Sequence, residues 1–200
     1  MQSAGGNIAD TYKSVKEPCQ GLFKDKGSRF IAYLYPVTSE DQVKPLLDAI
    51  KKEHHAARHH CYSYRIGHNG ATFRANDDGE PSGTAGRPIL GAIDSAGLSD
   101  VVVIVVRYFG GILLGVPGLI NAYREATRDA IANATVIEKT ACRRIEINFD
   151  YLQMNDVQKL LKSENLTIVS QQFDLRCRVE ADVPLSRADA FCEKLDKLLK

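Results

Sequence analysis

The chain has 200 residues, 44% of them hydrophobic and 26% charged, a balance of folded globular domains that excludes a disordered or collagen-like chain. Lysine and arginine number 26 against 25 acidic residues, so no net field draws the whole molecule to nucleic acid, and such binding has to use a local patch. Five scattered cysteines without a Cys-x-x-Cys pair, no secretory leader and no membrane-spanning run point to a reducing, cytoplasmic setting without membrane partners.

Met1 to Asp10 show no periodicity and predict a frayed start. Thr11–Lys16 reads as a short edge strand stopped near Pro18, and Arg29–Tyr35 as a better strand between a Lys24–Gly27 turn and Pro36. Ser39 is a helix N-cap candidate, with Val43, Leu46, Leu47 and Ile50 on one stripe through about His54. Pro45 at that depth requires a kink or a later start. His59–Ile66 alternates, placing His60, Tyr62, Tyr64 and Ile66 on one face and Cys61, Ser63 and Arg65 on the other. Asn69-Gly70 is a hairpin signal that returns the chain through Asn76.

After an acidic and glycine-rich loop, a helix from about Arg87 to Ala96 carries Ile89, Leu90 and Ile93. Val101–Val106 is then wholly apolar, five valines and one isoleucine. β-Branched residues without alternation predict a central strand covered on both faces. Gly110 and Gly111 follow at its exit, and Pro117 suits the first turn of a helix with Leu119, Ile120, Tyr123, Thr127, Ala130 and Ile131 on its buried face. From Arg143 the pattern restarts as strand, helix, strand, strand, helix, one strand short of a split βαβ sandwich. This divides the chain into a first domain over 1–137 and a second over 141–200, with a linker around Val136–Ala141.

The chemistry concentrates in Asp77-Asp78-Gly79-Glu80-Pro81-Ser82-Gly83-Thr84-Ala85-Gly86-Arg87-Pro88. Asp77, Asp78 and Glu80 suit a hard cation, or else ordinary turn chemistry. The small residues Ser82, Gly83, Thr84 and Gly86, with Arg87 beside them, suit backbone amides that approach a phosphate, although the P-loop spacing is absent. Arg107-Tyr108-Phe109 offers a guanidinium beside rings that could stack on bases; the competing reading plugs both rings into the core, Phe109 first. Arg87, Arg107 and the Gly83–Gly86 backbone are expected to share one mouth at the C-terminal end of the central strand. Asn121, Arg124 and Arg128 form an outward helix side diluted by Glu125 and Asp129, which reads as a solvated face.

His54, His55, His59, His60 and Cys61 have zinc-ligand chemistry, but the predicted helix breaks before His59 and no finger-like second pair follows, so no metal is expected. Cys61 and His60 point to opposite strand faces, which is poor geometry for a thiolate–imidazole pair. No nucleophile–base set is visible, and no cofactor is implied.

The loop 77–88, the strand-and-glycine block VVVIVVRYFGG from Val101 to Gly111, His60–Arg65 and Lys26–Phe30 occur in an order that resembles the YigZ/IMPACT family over Tyr12 to about Ala134. The resemblance implies an α+β chain whose first domain is like domain 2 of ribosomal protein S5. The second domain would be ferredoxin-like, similar to a C-terminal domain of the translocating elongation factor. It also implies a non-enzymatic role in translation or its regulation, through RNA, the ribosome or a translation-associated protein. The site residues expected on that basis are Asp77, Asp78, Glu80, Ser82, Gly83, Thr84, Gly86, Arg87, Arg107, Tyr108, Gly110 and Gly111. Two departures count against a phosphate grip at the long helix: Val116-Pro117-Gly118 stands where members commonly carry Thr-Gly-Gly, and Asn121 where they are often basic. Two other readings stand beside it, a small hydrolase or phosphoryl-transfer enzyme using the Asp77–Arg87 loop, and a pure protein-interaction module.

Overall fold

The computed structural model describes residues 10–174 and 176–199, so the expected frayed start lies outside it except for Asp10. Tyr12–Lys139 form one compact unit, and residues 140–199 with 10–11 form another.

The first unit is built on a five-stranded sheet. Its strands are β2 (Cys19–Asp25), β3 (Ser28–Pro36), β4 (His59–Ile66), β5 (Thr72–Asn76) and β6 (Val101–Tyr108), in the order β2-β3-β6-β4-β5. The valine strand is therefore the middle one. Its odd residues Val101, Val103 and Val105 pack with α2 (Gly86–Ser95) and α3 (Gly115–Ala132), through Ile89, Ile93, Leu119 and Tyr123. Its even residues Val102, Ile104 and Val106 pack on the other face with Val43 and Ile50 of α1 (Val43–Glu53). Two covered faces explain a strand with no polar residue before Arg107.

Pro45 is accommodated by a later start. Glu40–Gln42 form a 3₁₀ turn, and α1 begins only at Val43, so the proline falls in the first turn, where its missing N–H costs no helical bond. Ser39 makes no side-chain cap bond.

Sequence reading missed two strands. β2 carries Gly21 in its middle, which weakens the strand signal. The glycine is there because α3 crosses closely: a Cβ at Gly21 would lie 2.2 Å from the Ala130 amide nitrogen. The expected linker 136–141 is instead mostly β7 (Val136–Thr140), which alternates in exposure and pairs with β1 (Thr11–Val15) in a separate two-stranded sheet. Asp100 ties this sheet to the core, accepting from Tyr12 Oη at 2.7 Å, Lys139 Nζ at 3.1 Å and the Gly67 amide at 2.9 Å.

Every pairing in the five-stranded sheet is antiparallel. The rule that ligands sit at the C-terminal strand ends of open parallel sheets therefore does not transfer to this fold.

The second unit runs β8 (Cys142–Asp150), α4 (Met154–Ser163), β9 (Thr167–Phe173), β10 (Arg176–Pro184) and α5 (Leu185–Leu199), with sheet order β8-β10-β9 and both pairings antiparallel. Its core joins Ile147, Phe149, Val179 and Val183 to Val157, Leu161 and Phe191. This is the ferredoxin-like order with three strands among the described residues.

Gly110 is fixed by packing. Its amide donates to Ser28 Oγ at 3.1 Å, and a Cβ there would lie 2.0 Å from the Gly27 carbonyl carbon and 2.1 Å from the Ser28 nitrogen. Both obstacles are backbone, so the turn between β2 and β3 would have to move. Gly110→Ala is expected to cost about 3 kcal/mol or more, measured by urea denaturation. Gly111→Ala meets open space but has to adopt a φ of +89°, and should cost only about 1 kcal/mol.

Candidate functional site

The loop between β5 and α2 folds around its own carboxylates. Asp77 Oδ1 accepts from the amides of Ala85 at 3.0 Å and Gly86 at 2.8 Å, and Oδ2 accepts from the Gly83 amide at 2.8 Å. Burial alone raises the Asp77 carboxyl, but those three donations and the nearby Arg87 charge overcome it and hold its pKa below the usual carboxylate range. The amides that the sequence offered to a phosphate are therefore filled from within the protein. Thr84 is buried, with its hydroxyl donating to the Pro81 carbonyl at 2.7 Å, while Ser82 is exposed.

Glu80 turns inward. Its carboxylate receives Arg107 Nη1 at 2.7 and 2.9 Å on its two oxygens, and Tyr123 Oη donates to Oε1 at 2.7 Å. Cys61 Sγ donates to the Asp77 carbonyl at 3.0 Å and lies 3.4 Å from Tyr123 Oη. Burial, then the neighbouring Cys61 and Glu80, push the Tyr123 hydroxyl far above its ordinary value, so it stays a donor. Arg107 is only 8% exposed. Its guanidinium carbon lies 5.6 Å from the ring centroid of Phe30 and 5.7 Å from that of Phe109. Its Nε is buried without a hydrogen-bond partner.

Asp78, at a φ of +39°, points elsewhere: its Oδ2 accepts from the His60 amide at 2.7 Å, and Lys51 Nζ stands 3.6 Å from Oδ1. The three acidic side chains thus have separate partners and do not converge on a cation. No group of three metal-ligating side chains gathers anywhere among the described residues. His54 is instead a spacer between tyrosines, 2.5 Å from Tyr33 Oη through Nε2 and 2.8 Å from Tyr108 Oη through Nδ1.

The structure also separates the two arginines expected at one mouth. Arg107 lies under a cavity of about 390 Å³ with Arg58, His59, Tyr108, Phe109 and Leu113 around it. Arg87 lines a different cavity, about 370 Å³, between α2 and α3, together with Gly91, Ser95, Arg124 and Arg128. Arg128 pairs with Glu125 at 2.9 Å. Among the described residues, neither Arg87 nor Arg124 makes an ion pair or hydrogen bond. The helix face that read as merely solvated thus holds a convergent basic groove, because α2 brings Arg87 against it. Periodicity on α3 alone could not reveal a partner from α2. Phe109, which one of the two readings placed in the core, is 55% exposed.

A mixed α+β chain with an antiparallel sheet domain, a carboxylate-filled glycine loop and a ferredoxin-like second unit defines a two-domain class, and comparison with known proteins identifies it. Residues 26–131 match the Impact N-terminal domain, and residues 147–200 match a domain of unknown function, DUF1949. The chain belongs to the IMPACT family. It is 34% identical to IMPACT family member YvyE of Bacillus subtilis (strain 168) over 188 residues, covering 94% of this chain and 87% of that protein. It is 31% identical to IMPACT family member YigZ of Escherichia coli (strain K12) over 172 residues, covering 85% and 84%. A crystal structure of a hypothetical protein, 29% identical, superposes over 95% of this chain and 93% of its own with a TM-score of 0.74.

Two outcomes follow for the loop. Glu80→Gln leaves a buried guanidinium without its counter-charge, and Arg107→Ala leaves the carboxylate without its cation. Each should lower unfolding free energy by about 3–5 kcal/mol, whereas Glu80→Leu with Arg107→Met should recover part of it in the same denaturation assay.

The second outcome is pH-dependent. A carboxyl with a depressed folded-state pKa contributes stability that is present above its unfolded pKa of about 4 and lost as pH falls through the folded value. Asp77→Asn should therefore be less stable than the wild type at neutral pH. That gap should close as pH drops below about 4 in thermal melts.

Proposed function

We propose that this protein acts in translation or its regulation, in the cytoplasm and without catalysis, by holding the phosphate backbone of RNA. The carrying observation is the groove between α2 and α3, where the guanidiniums of Arg87 and Arg124 make no ion pair or hydrogen bond among the described residues, beside Arg128. Elsewhere the motif's charges are satisfied internally: Glu80 by Arg107, and Asp77 by amides. Unpaired guanidiniums along a groove suit phosphate oxygens, which they meet in bidentate fashion. A near-zero net charge makes such a local groove the place where backbone affinity has to come from. The translation setting rests on family membership and on the ribosomal and elongation-factor likeness that the sequence resemblance implies. The hydrolase reading loses support from the divergent partners of Asp77, Asp78 and Glu80.

One observation favours a second reading, docking to a translation-associated protein. Ile112, Leu113 and Val116, between β6 and α3, are all at least half exposed, Leu113 at 82%. Exposed aliphatics grouped in this way mark protein contacts more often than RNA contacts.

The test is binding of single-stranded RNA and of ribosomes across a salt series. Removing both free guanidiniums in Arg87→Ala/Arg124→Ala should weaken binding and flatten the salt slope by about two units. Melting temperature should fall only slightly, since Arg124 has no ion pair to lose and Arg87 loses only its charge interaction with Asp77. Unchanged binding by the folded double variant would sink the phosphate reading. Ribosome binding that survives nuclease and is insensitive to salt would establish the second.

A further inference from the structure

The cavity at the end of β6 belongs neither to the arginine groove nor to the buried ion pair beneath it. Its walls supply an aromatic ring, Phe109, and a free cation, Arg58, whose guanidinium makes no ion pair or hydrogen bond among the described residues. His59 adds an imidazole held by an Nδ1–H donation to the Asp78 carbonyl at 2.8 Å, which leaves Nε2 as its acceptor nitrogen when neutral. Of the side chains around this cavity of about 390 Å³, none is a carboxylate.

Phe109 is the informative residue. Although 55% exposed, it is not a loose surface ring, because the Arg107 guanidinium carbon lies 5.7 Å from its centroid and is itself held 5.6 Å from the Phe30 ring. Glu80 pairs with Arg107, so the guanidinium contributes its cation–π contacts with the two rings and not a bare charge at the mouth. Arg107 leaves its Nε–H unpaired to keep this position. The result is a ring, Phe109, that is held against Arg107 and is still exposed on the cavity.

We propose that this cavity takes an unpaired nucleotide, its base stacked on Phe109 and its phosphate against Arg58. A base is a flat partner for that exposed ring, and the cation on the rim, in a cavity that no carboxylate lines, suits the phosphate attached to it. The inference deepens the RNA reading above: the groove between α2 and α3 grips backbone, and this cavity reads out a base that is not paired. A free nucleotide presents the same chemistry, and the experiment separates the two sources.

Two probes serve: a single-stranded oligoribonucleotide of about ten residues carrying one 2-aminopurine, and 2-aminopurine ribonucleoside monophosphate alone. The wild type should quench the fluorescence on binding. Phe109→Leu keeps an apolar side chain but no ring face; it should abolish the quenching and weaken binding about tenfold, with the salt slope unchanged. Phe109→Tyr should retain both signals, which excludes a folding defect as the cause. Arg58→Ala should lower the salt slope by about one unit. Arg87→Ala/Arg124→Ala should reduce affinity for the oligonucleotide while the bound complex still quenches. Quenching by the mononucleotide, sensitive to Phe109→Leu, with no binding of the oligonucleotide, would uphold the cavity for a free nucleotide and overturn the RNA reading. Oligonucleotide binding that Phe109→Leu leaves unaltered in affinity and fluorescence would overturn the cavity and spare the groove. Binding of neither probe would overturn both.

Discussion

A buried carboxylate, Glu80, joins three elements of the first unit that are far apart in sequence: the 77–87 loop, the end of β6 through Arg107, and the middle of α3 through Tyr123. Burying an ion is costly unless each partner is satisfied, and removing one partner leaves the full cost on the other. The loop therefore has little freedom to open. Once Glu80 is in place, Asp77 falls where the amides of Gly83, Ala85 and Gly86 converge, and α2 starts with its first donors already occupied. The run of small residues is thus explained by the approach of a carboxylate from within the same loop. It permits self-closure as readily as ligand binding, and here self-closure wins.

That closure sorts the cations of the domain. Arg107 is consumed by Glu80 and lies against Phe109, whereas Arg87, Arg124 and Arg58 make no ion pair or hydrogen bond among the described residues. An unpaired guanidinium in a groove keeps its full capacity for bidentate contact; a buried and paired one contributes shape. On the proposed reading, the residues that meet a ligand lie on the surfaces beside the motif, and the motif is the frame that holds those surfaces apart.

The elements legible in the sequence were those with a strong hydrophobic period. The valine strand, the alternating His59–Ile66 strand, the stripe of α3 and the βαββα order of the second unit all follow from which faces must be covered. β2 was not legible because Gly21 replaces a side chain with space for α3, a fact that depends on Ala130 over a hundred positions away. The joint between the units does fall in 136–141, but β7 was not legible there as a strand, because five alternating residues beside a short partner strand carry little signal. Arg107 did leave a clue: it continues a strand covered on both faces, so its side chain had to enter a covered region and required a buried acid. Glu80 is that acid, but composition alone could not choose it over Asp77 or Asp78. Phe109 misled in the opposite direction, since its hydrophobicity suggested the core while the strand had already ended at Tyr108.

The second unit narrows where nucleotide chemistry can reside. In a ferredoxin-like module, base recognition commonly uses aromatics on the open sheet face. Here the strand positions opposite the core carry Arg144, Glu146, Asn148, Arg178, Glu180 and Asp182. Arg144 pairs with Asp182 at 3.0 Å, and Arg178 pairs with Glu146 at 2.8 Å and Glu180 at 2.7 Å. Those charges answer one another across neighbouring strands, and none of these six positions offers a ring to a base. The face is exposed and polar, but its cations are engaged in the same way that Arg107 is engaged by Glu80, without the aromatic layers that make Arg107 useful. In the first unit an exposed ring, Phe109, and a guanidinium without an ion pair, Arg58, line one cavity beside the end of β6, so the nucleotide-binding proposal rests on that domain.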